Sequence, residues 1–363
     1  MTVQPAAKGE TGRLGAWPEL SLKAPDDAAD LFRLFRLYVE GDDLIQVLRR
    51  IDLSERTAAE ICHMILGRMP RPAEIASAHE AYDPVQFAVK LLTSREFQSE
   101  VIRLLLLAFP EKRRLFFVHI PKCAGTDLEA HLTPRYLSIA HSMTAPAWNS
   151  TERLFGFLSR FSTMIEFVSE VLIYGHLPFN AYTRRIGIRP MDEVFTVLRD
   201  PIDIMISQAN YNMGLLVKDP LRRRPDTRHV MEGLQLESLP DPIPPPLLRE
   251  LALRMLTNPQ MVRPDRICSQ LGNGKADLTL ENLVGYDVEV TDTARYQRWL
   301  KQRWGIDSKT RHNRSLPILQ RADVEEHLDF LVAQTEQDRI LFEVVRRALD
   351  KSDTVSLRGS ALA

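Results

Sequence analysis

The sequence is poor in cysteine and has no excess of charge of either sign. Its 363 residues include three cysteines, Cys62, Cys123 and Cys268, none of them in a C-x-x-C pair. This scarcity argues against a disulfide framework and against a cysteine zinc site. The 47 basic and 48 acidic residues nearly cancel, so net charge does not indicate binding to nucleic acid. Any anion site must therefore be built locally.

Long apolar runs are also missing. The most apolar stretch, residues 101–109, is too short to cross a bilayer, and residues 1–15 lack the apolar segment of a signal peptide. We expect a cytoplasmic protein with reduced cysteines and no transmembrane segment. Peripheral association with a membrane stays open.

The periodicity of apolar residues divides the chain into segments. Residues 1–27 have no periodicity and are predicted to form a flexible arm. Helical spacing over residues 28–110 predicts a small all-helical domain, a candidate for binding a partner. Residues 111–350 alternate compact apolar runs with helical segments, which predicts an α/β domain with a mainly parallel sheet covered by helices. Residues 351–363 are predicted to be a flexible tail.

Within the α/β domain, strands are predicted at residues 115–120, 171–174, 194–198 and 283–290. Later helices are predicted at residues 247–257, 292–303 and 322–349. Residues 218–247 are rich in arginine and proline, and their prolines argue against a regular helix or an inner strand. We expect this stretch to be a surface excursion or a lid.

The strongest local signal follows the first predicted strand. The loop Pro-Lys-Cys-Ala-Gly-Thr occupies residues 121–126, and an amphipathic helix is predicted to begin near Thr126. The amides of a helix N-terminus favour an anion, and Gly125 allows its close approach, so we expect a bound phosphate. The loop is not a Walker A loop, because that motif needs a lysine at the helix start. Lys122 would instead approach the phosphate from the strand side.

Other interpretations of this loop are open. It is compatible with a polar turn that connects a strand to a helix and binds nothing. A phosphatase-like nucleophile at Cys123 is disfavoured, because the H-C-x-x-x-x-x-R cradle is absent. We expect His119, which lies inside the apolar run, to be a packed core residue.

A second signal follows the predicted strand at residues 194–198. Asp200 is a suitable N-cap and Pro201 a suitable first residue for a helix. Arg199, at the strand end, and Ser207, two helical turns later, can reach one external anion. The alternative is that Arg199 pairs with a carboxylate at the helix start, either Asp200 or Asp203.

A histidine follows the predicted strand at residues 171–174. Gly175 and His176 come directly after this strand, and ligands of open α/β sheets lie beyond the carboxyl ends of the strands. An imidazole in such a crevice is suited to general-base catalysis, because the unperturbed pKa of histidine lies near neutral pH. A buried structural histidine is the alternative.

The three segments HIPKCAGTDL, YGHLPF and LRDPIDIMIS resemble one family when taken in this order. They are similar to the carbohydrate sulfotransferases that use 3′-phosphoadenosine 5′-phosphosulfate (PAPS) and are related to the uronosyl 2-O-sulfotransferases. The family patterns run close to H-I-P-K-T-x-G-T-[ST]-L, G-H and L-R-D-P-x-x-x-x-x-S. The resemblance covers roughly residues 113–350, including RHNRSLP at 311–317. It implies a P-loop-like α/β fold and sulfuryl transfer to a hydroxyl of a carbohydrate or glycolipid, without a metal.

The resemblance also implies roles for individual residues. His176 matches the catalytic base, and Arg199 with Ser207 matches the 3′-phosphate site. In the in-line displacement that we expect, Lys122 neutralises the charge on the bridging oxygen as the bisphosphate leaves. The 5′-phosphosulfate would lie on Lys122, Cys123, Ala124, Gly125, Thr126 and Asp127. The sequence departs from the pattern at Cys123, where threonine is usual, and at Asp127, where serine or threonine is commoner.

Two other functions remain as alternatives. A phosphotransferase using ATP or GTP would need a carboxylate that holds Mg²⁺ and a loop hydroxyl, for which Thr126 is a candidate. A non-catalytic nucleotide-binding protein would use the helical domain for its partner.

No motif in the sequence identifies the acceptor. Two interpretations are open for Arg222, Arg223 and Arg224: they bind an anionic glycan, or they form a solvated basic loop. His141 has no assigned role.

Overall fold

The structure, a computed structural model, describes residues 57–66, 69–72, 83–92, 94, 111–142, 164, 167–176, 178–219, 225–307, 316–351 and 354–356. The chain divides into two compact units. The first comprises residues 1–115, 136–173 and 181–192, and the second comprises residues 116–135, 174–180 and 193–363.

The architecture is α/β. The strands are β1 (Arg113–Val118), β2 (Leu137–Ser142), β3 (Glu170–His176), β4 (Glu193–Leu198), β5 (Glu289–Asp292) and β6 (Val355–Ser356). They form one sheet in the order β2-β3-β1-β4-β5-β6. The first five strands run parallel, and β6 pairs antiparallel with β5.

Helices accompany the strands along the chain. They are α1 (Ala58–Leu66), α2 (Pro84–Leu92), α3 (Gly125–Leu132), α4 (Pro201–Lys218), α5 (Pro225–Gly233), α6 (Pro245–Thr257), α7 (Arg266–Gly272), α8 (Ala276–Gly285), α9 (Tyr296–Trp304), α10 (Leu328–Gln334) and α11 (Glu336–Leu349). A short helix at Phe179–Ala181 continues into a π-helical turn at Tyr182–Ile186, and a 3₁₀-helix spans Arg321–His327.

Three of the predicted strands are confirmed, with ends that differ by up to two residues. The fourth prediction, residues 283–290, is wrong in its first half, because Leu283 and Val284 belong to α8. The chain turns at Asp287, where φ is 53°, and β5 begins only at Glu289. Strand β2 was not predicted, because its sequence LSIAHS contains only one short apolar pair.

The expectation for residues 218–247 is also wrong in part. Helix α5 lies within this stretch, and Pro225 is compatible with it because proline is tolerated in the first helical turn. Val230, Met231 and Leu234 are buried in a cluster with residues of α4 and α6. This part of the stretch is packed core and not a surface excursion. Arg222, Arg223 and Arg224 lie outside the described residues.

Most of the predicted helical domain lies outside the described residues, as do the predicted arm at 1–27 and most of the tail at 351–363. Within residues 28–110 the structure describes α1 and α2. The all-helical domain therefore stays a prediction. Among the described helices, none has the length and apolar character needed to cross a membrane.

Within the second unit, the carboxyl ends of β1, β3 and β4 bring three loops together. In the sheet order, β1 lies between β3 and β4, so the carboxyl ends of these strands are neighbours. The amide of His119 donates to the carbonyl oxygen of Gly175 over 3.1 Å. On the other side, Thr196 Oγ1 donates to the carbonyl oxygen of Val118 over 2.8 Å. These bonds connect the carboxyl ends of β3, β1 and β4. The predicted site residues lie at these ends and in the segments that follow them.

Candidate functional site

A cleft of about 970 Å³ lies beyond these strand ends, within the second unit. Its lining includes eight of the nine residues predicted from the sequence: Lys122, Ala124, Gly125, Thr126, Asp127, His176, Arg199 and Ser207. The ninth, Cys123, is not among the lining residues. The structure therefore brings the three predicted motifs together in one crevice.

The loop before α3 has an unusual backbone. Lys122 and Ala124 adopt left-handed conformations, with φ of 71° and 59°, which cost free energy for residues other than glycine. Ala124 is the N-cap of α3 and makes no side-chain capping hydrogen bond. The first amides of α3 thus have no capping side chain and can donate to an external anion.

Gly125 is required by a neighbouring ring. A Cβ atom at this position would lie 1.7 Å from Nε2 of His119, which is buried at 7% exposure. The His119 ring stacks on Phe117 at 5.4 Å and lies 4.1 Å from the ring of His176, measured between centroids. His119 is therefore a packed residue, as expected, and it also lines the cleft beneath the loop.

His176 is held in one tautomer. Its Nδ1 lies 2.9 Å from the carbonyl oxygen of His119. Because a carbonyl oxygen only accepts hydrogen bonds, Nδ1 carries the hydrogen, and Nε2 of the neutral ring is an acceptor. Burial lowers the pKa of His176, and the nearby charges of Lys122 and Arg266 lower it further against the raising effect of the His119 carbonyl. The imidazole is thus neutral and able to accept a proton at neutral pH.

Lys122 lies in a positive environment. Its pKa is lowered from 10.5 to about 8 by burial and by the nearby charges of Arg266 and Arg199. Its Nζ lies over the ring of Tyr211, 3.4 Å from the centroid. Gathering like charges in a partly buried cleft is unfavourable unless an anion compensates them.

Two arginines reach the loop from different elements. Arg199 Nη1 donates to the carbonyl oxygen of Lys122 over 3.3 Å. Arg266, the first residue of α7, donates to Oε1 of Gln208 over 3.0 Å, and Gln208 lines the cleft. Burial and the nearby Arg263 lower the pKa of Arg266 to about 10.

The alternative pairing of Arg199 with the carboxylates of α4 is not what the structure shows. Asp200 and Asp203 instead accept from Arg321 Nη1, over 2.8 Å and 3.2 Å. Asp200 also caps α4, as predicted, and Pro201 is the first helical residue. The guanidinium of Arg199 is consequently directed to the loop.

The side chain of Cys123 points into the core. The residue is 1% exposed, its Sγ lies 3.8 Å from the carbonyl oxygen of Pro121, and burial raises the pKa of the thiol. A thiol in this state is not a nucleophile. Cys123 can take part in the site only through its backbone.

Asp127, in the first turn of α3, lies close to His131 and Tyr296. It is 4% exposed, and its Oδ2 lies 3.7 Å from Nε2 of His131. Burial raises the pKa of the Tyr296 phenol, and the nearby Asp127 carboxylate raises it further. A carboxylate in the first turn of α3 is favoured by the helix dipole even though it competes with a bound anion.

Several lining or nearby residues were not predicted. Tyr211 lies four residues after Ser207, on the same side of α4, and this spacing is a signal that the sequence contains. Arg266 carries no local signal, because α7 reaches the loop through tertiary packing. Arg321 and Tyr296 likewise reach the cleft from distant segments. Among the described residues, no group of three or more His, Cys, Asp or Glu side chains could hold a metal ion.

A scan against known protein families finds no match for this chain, and a search of curated protein sequences finds no significant match either. The chemistry of the cleft must therefore decide between the functions that the sequence leaves open.

Proposed function

We propose that this protein is a sulfotransferase that moves a sulfuryl group from PAPS to a hydroxyl of a carbohydrate or glycolipid. The observation that carries the proposal is that a group of cationic side chains and a neutral histidine line the same cleft. Lys122 and Arg199 meet in the loop that leads to the uncapped N-terminus of α3, and His176 lines the same cleft. The strand order and the loop after β1 support a P-loop-like variant of the α/β fold.

The donor is proposed to span two parts of the cleft. The loop amides from Lys122 to Thr126 and the N-terminus of α3 would bind the 5′-phosphosulfate. Arg199 and Ser207 would bind the 3′-phosphate. The two groups come from different elements of the lining, one from the β1 loop and the other from the end of β4 and from α4, and this origin supports the division.

The proposed reaction is a displacement at sulfur. Nε2 of His176 takes the proton of the acceptor hydroxyl while the acceptor oxygen forms a bond to sulfur. The bond between sulfur and the bridging oxygen breaks, and the electron pair stays on the departing adenosine 3′,5′-bisphosphate. The Lys122 ammonium neutralises the charge that develops on that oxygen. Both residues proposed for these roles, His176 and Lys122, line the cleft.

The acceptor class is proposed from the sequence resemblance alone. A glycan or glycolipid hydroxyl can give its proton to a base that is neutral at physiological pH. We also propose a cytoplasmic location. A transfer assay with radiolabelled PAPS against cell-envelope glycan and glycolipid fractions identifies the acceptor.

Donor binding is tested by calorimetry. We expect adenosine 3′,5′-bisphosphate to bind without a metal, and ATP with Mg²⁺ to bind at least tenfold more weakly. Arg199→Ala should weaken the bisphosphate about tenfold or more, because a hydrogen bond to a charged group is lost. The control is Arg228→Ala, an exposed arginine of α5. Equal binding of ATP with Mg²⁺ would favour a phosphotransferase instead.

Catalysis is tested with His176→Ala. We expect a loss of transfer of about 10² to 10⁴-fold, the usual contribution of a general base, with unchanged affinity for the bisphosphate. His229→Ala, at an exposed histidine of α5, is the matched control. Unchanged turnover in His176→Ala would remove this residue from the mechanism.

A further inference from the structure

The position of the Lys122 ammonium is defined by an aromatic ring. Nζ of Lys122 lies 3.4 Å from the centroid of the Tyr211 ring, so the cation is against the face of the ring. Tyr211 belongs to α4 and lines the cleft. The negative face of an aromatic ring attracts a cation within about 6 Å of its centroid.

The charged and titratable groups around Lys122 favour the neutral amine. Arg266 of α7 and Arg199 at the end of β4 both oppose its protonation. His119, after β1, and His176, in β3, are close enough that the charge of Lys122 lowers the pKa of each imidazole. Burial acts in the same direction. The ring face of Tyr211, in contact with Nζ, favours the ammonium.

We propose that Tyr211 is a positioning residue that keeps Lys122 charged and in place at the anion site through its ring face. The inference deepens the proposed function, on which it rests, because a charged Lys122 is what the departing bisphosphate would need. The hydroxyl of Tyr211 has no part in it. The ring is sufficient, so phenylalanine should replace tyrosine and an aliphatic side chain should not.

The consequence is a specific effect on pH dependence. With a pKa of about 8, Lys122 in the wild-type protein loses its proton just above neutral pH. Removing a cation–π contact should lower the protonation constant of the amine by about tenfold, which moves its titration about one pH unit lower. If Tyr211 merely filled space, its removal would not lower this titration, because water admitted in its place raises the pKa of a buried amine.

The first experiment does not require any transfer activity. Acylation of Lys122 by trace acetic anhydride is followed by mass spectrometry between pH 6 and 10, with the exposed Lys275 as internal reference. We expect the midpoint in Tyr211→Phe to match wild type and that in Tyr211→Leu to fall by about one unit. Equal midpoints in Tyr211→Leu and wild type would overturn the proposal.

The second experiment measures transfer from PAPS over the same pH range. The alkaline limb of kcat should move lower in Tyr211→Leu and remain in place in Tyr211→Phe. If the acylation midpoint moves in Tyr211→Leu but neither wild type nor any variant transfers sulfuryl groups, the positioning role stands and the proposed function fails. If transfer occurs but neither profile moves, the positioning role fails alone. Tyr211→Met replaces Tyr211→Leu if the latter does not fold, and the same shift is required of it.

Discussion

At the scale of single residues, the shape of the loop depends on the ring of His119. The loop places Gly125 directly against this ring, and the ring in turn lies 4.1 Å from that of His176. The carbonyl oxygen of His119 also fixes the tautomer of His176. One buried histidine thus positions both the start of α3 and the proposed base.

Gly125→Ala tests this packing. The new methyl group would meet Nε2 of His119 at 1.7 Å, so the ring must move. We expect a loss of about 1–3 kcal/mol in the free energy of unfolding, the usual cost of overpacking, and weaker binding of adenosine bisphosphate. Urea unfolding and calorimetry measure the two effects. Gly285→Ala is the control, because nothing lies within 4 Å of a Cβ at that position.

A double mutant isolates the cause. In a His119→Ala background the methyl group has room, so Gly125→Ala should cost much less there than in wild type. Equal costs in the two backgrounds would show that the ring of His119 is not the obstacle.

The sequence predicted lining residues at strand ends and in the loops and helices that directly follow them. Lys122, His176 and Arg199 could be placed in one crevice because the carboxyl ends of parallel strands share an edge of the sheet. Arg266 could not be placed, because its position depends on how α7 packs. The burial of the Cys123 thiol could not be predicted either, because the sequence does not show which residue of the loop faces the core.

At the scale of elements, α7 is held at the cleft by a buried carboxylate. Asp338 of α11 accepts from the amide of Ile267 over 2.9 Å and from that of Cys268 over 2.7 Å. These amides follow Arg266, whose guanidinium approaches Lys122. Burial raises the pKa of Asp338 from 3.8 to about 6, although both amide hydrogen bonds oppose this shift.

Asp338→Asn tests the cost of this arrangement. Between pH 3.8 and 6 the unfolded chain releases the proton of Asp338 while the folded protein keeps it, so wild-type stability falls as pH rises. Relative to Asp338→Asn, wild type should lose about 2–3 kcal/mol over this range. Unfolding by urea at pH 4, 5, 6 and 7 measures the difference. Asp329→Asn, at an exposed position in α10, is the control.

Element prediction failed where local chemistry was given the wrong weight. Proline was taken to exclude a helix in residues 218–247, yet Pro225 lies in the first turn of α5, where its missing amide costs nothing. Apolar content alone likewise suggested one strand for residues 283–290, although the turn at Asp287 separates a helix from β5. Boundaries of this kind depend on turn geometry more than on hydrophobicity.

At the scale of the whole molecule, a chain of almost zero net charge concentrates cations at one place. The 47 basic residues nearly balance the 48 acidic ones, yet Lys122, Arg199 and Arg266 converge on one loop. The acidic residues that follow Arg199 most closely in the sequence do not pair with it. Arg321 binds both of them, the N-cap Asp200 and Asp203 of α4. Gathering these cations at one place reduces stability when no anion compensates them.

Lys122→Met makes this cost measurable. The Lys122 pKa of about 8, against the ordinary 10.5, corresponds to about 3 kcal/mol of destabilisation of the folded protein while the lysine is charged. At pH 7 we therefore expect the variant to be more stable than wild type by an amount of this order. Between pH 8 and 10.5 the folded protein releases the proton before the unfolded chain does, so wild-type stability rises with pH and the difference shrinks.

Adenosine bisphosphate should reverse the order of stability. Its negative charge favours the Lys122 ammonium, so binding should stabilise wild type strongly and Lys122→Met weakly, according to the affinity of each. Urea unfolding with and without the bisphosphate, from pH 7 to 10, measures both effects, and Lys275→Met, at an exposed lysine, is the control. If Lys122→Met is less stable than wild type at pH 7 without ligand, Lys122 is not a charge held at a cost. The cationic cluster would then be a feature of folding and not of binding.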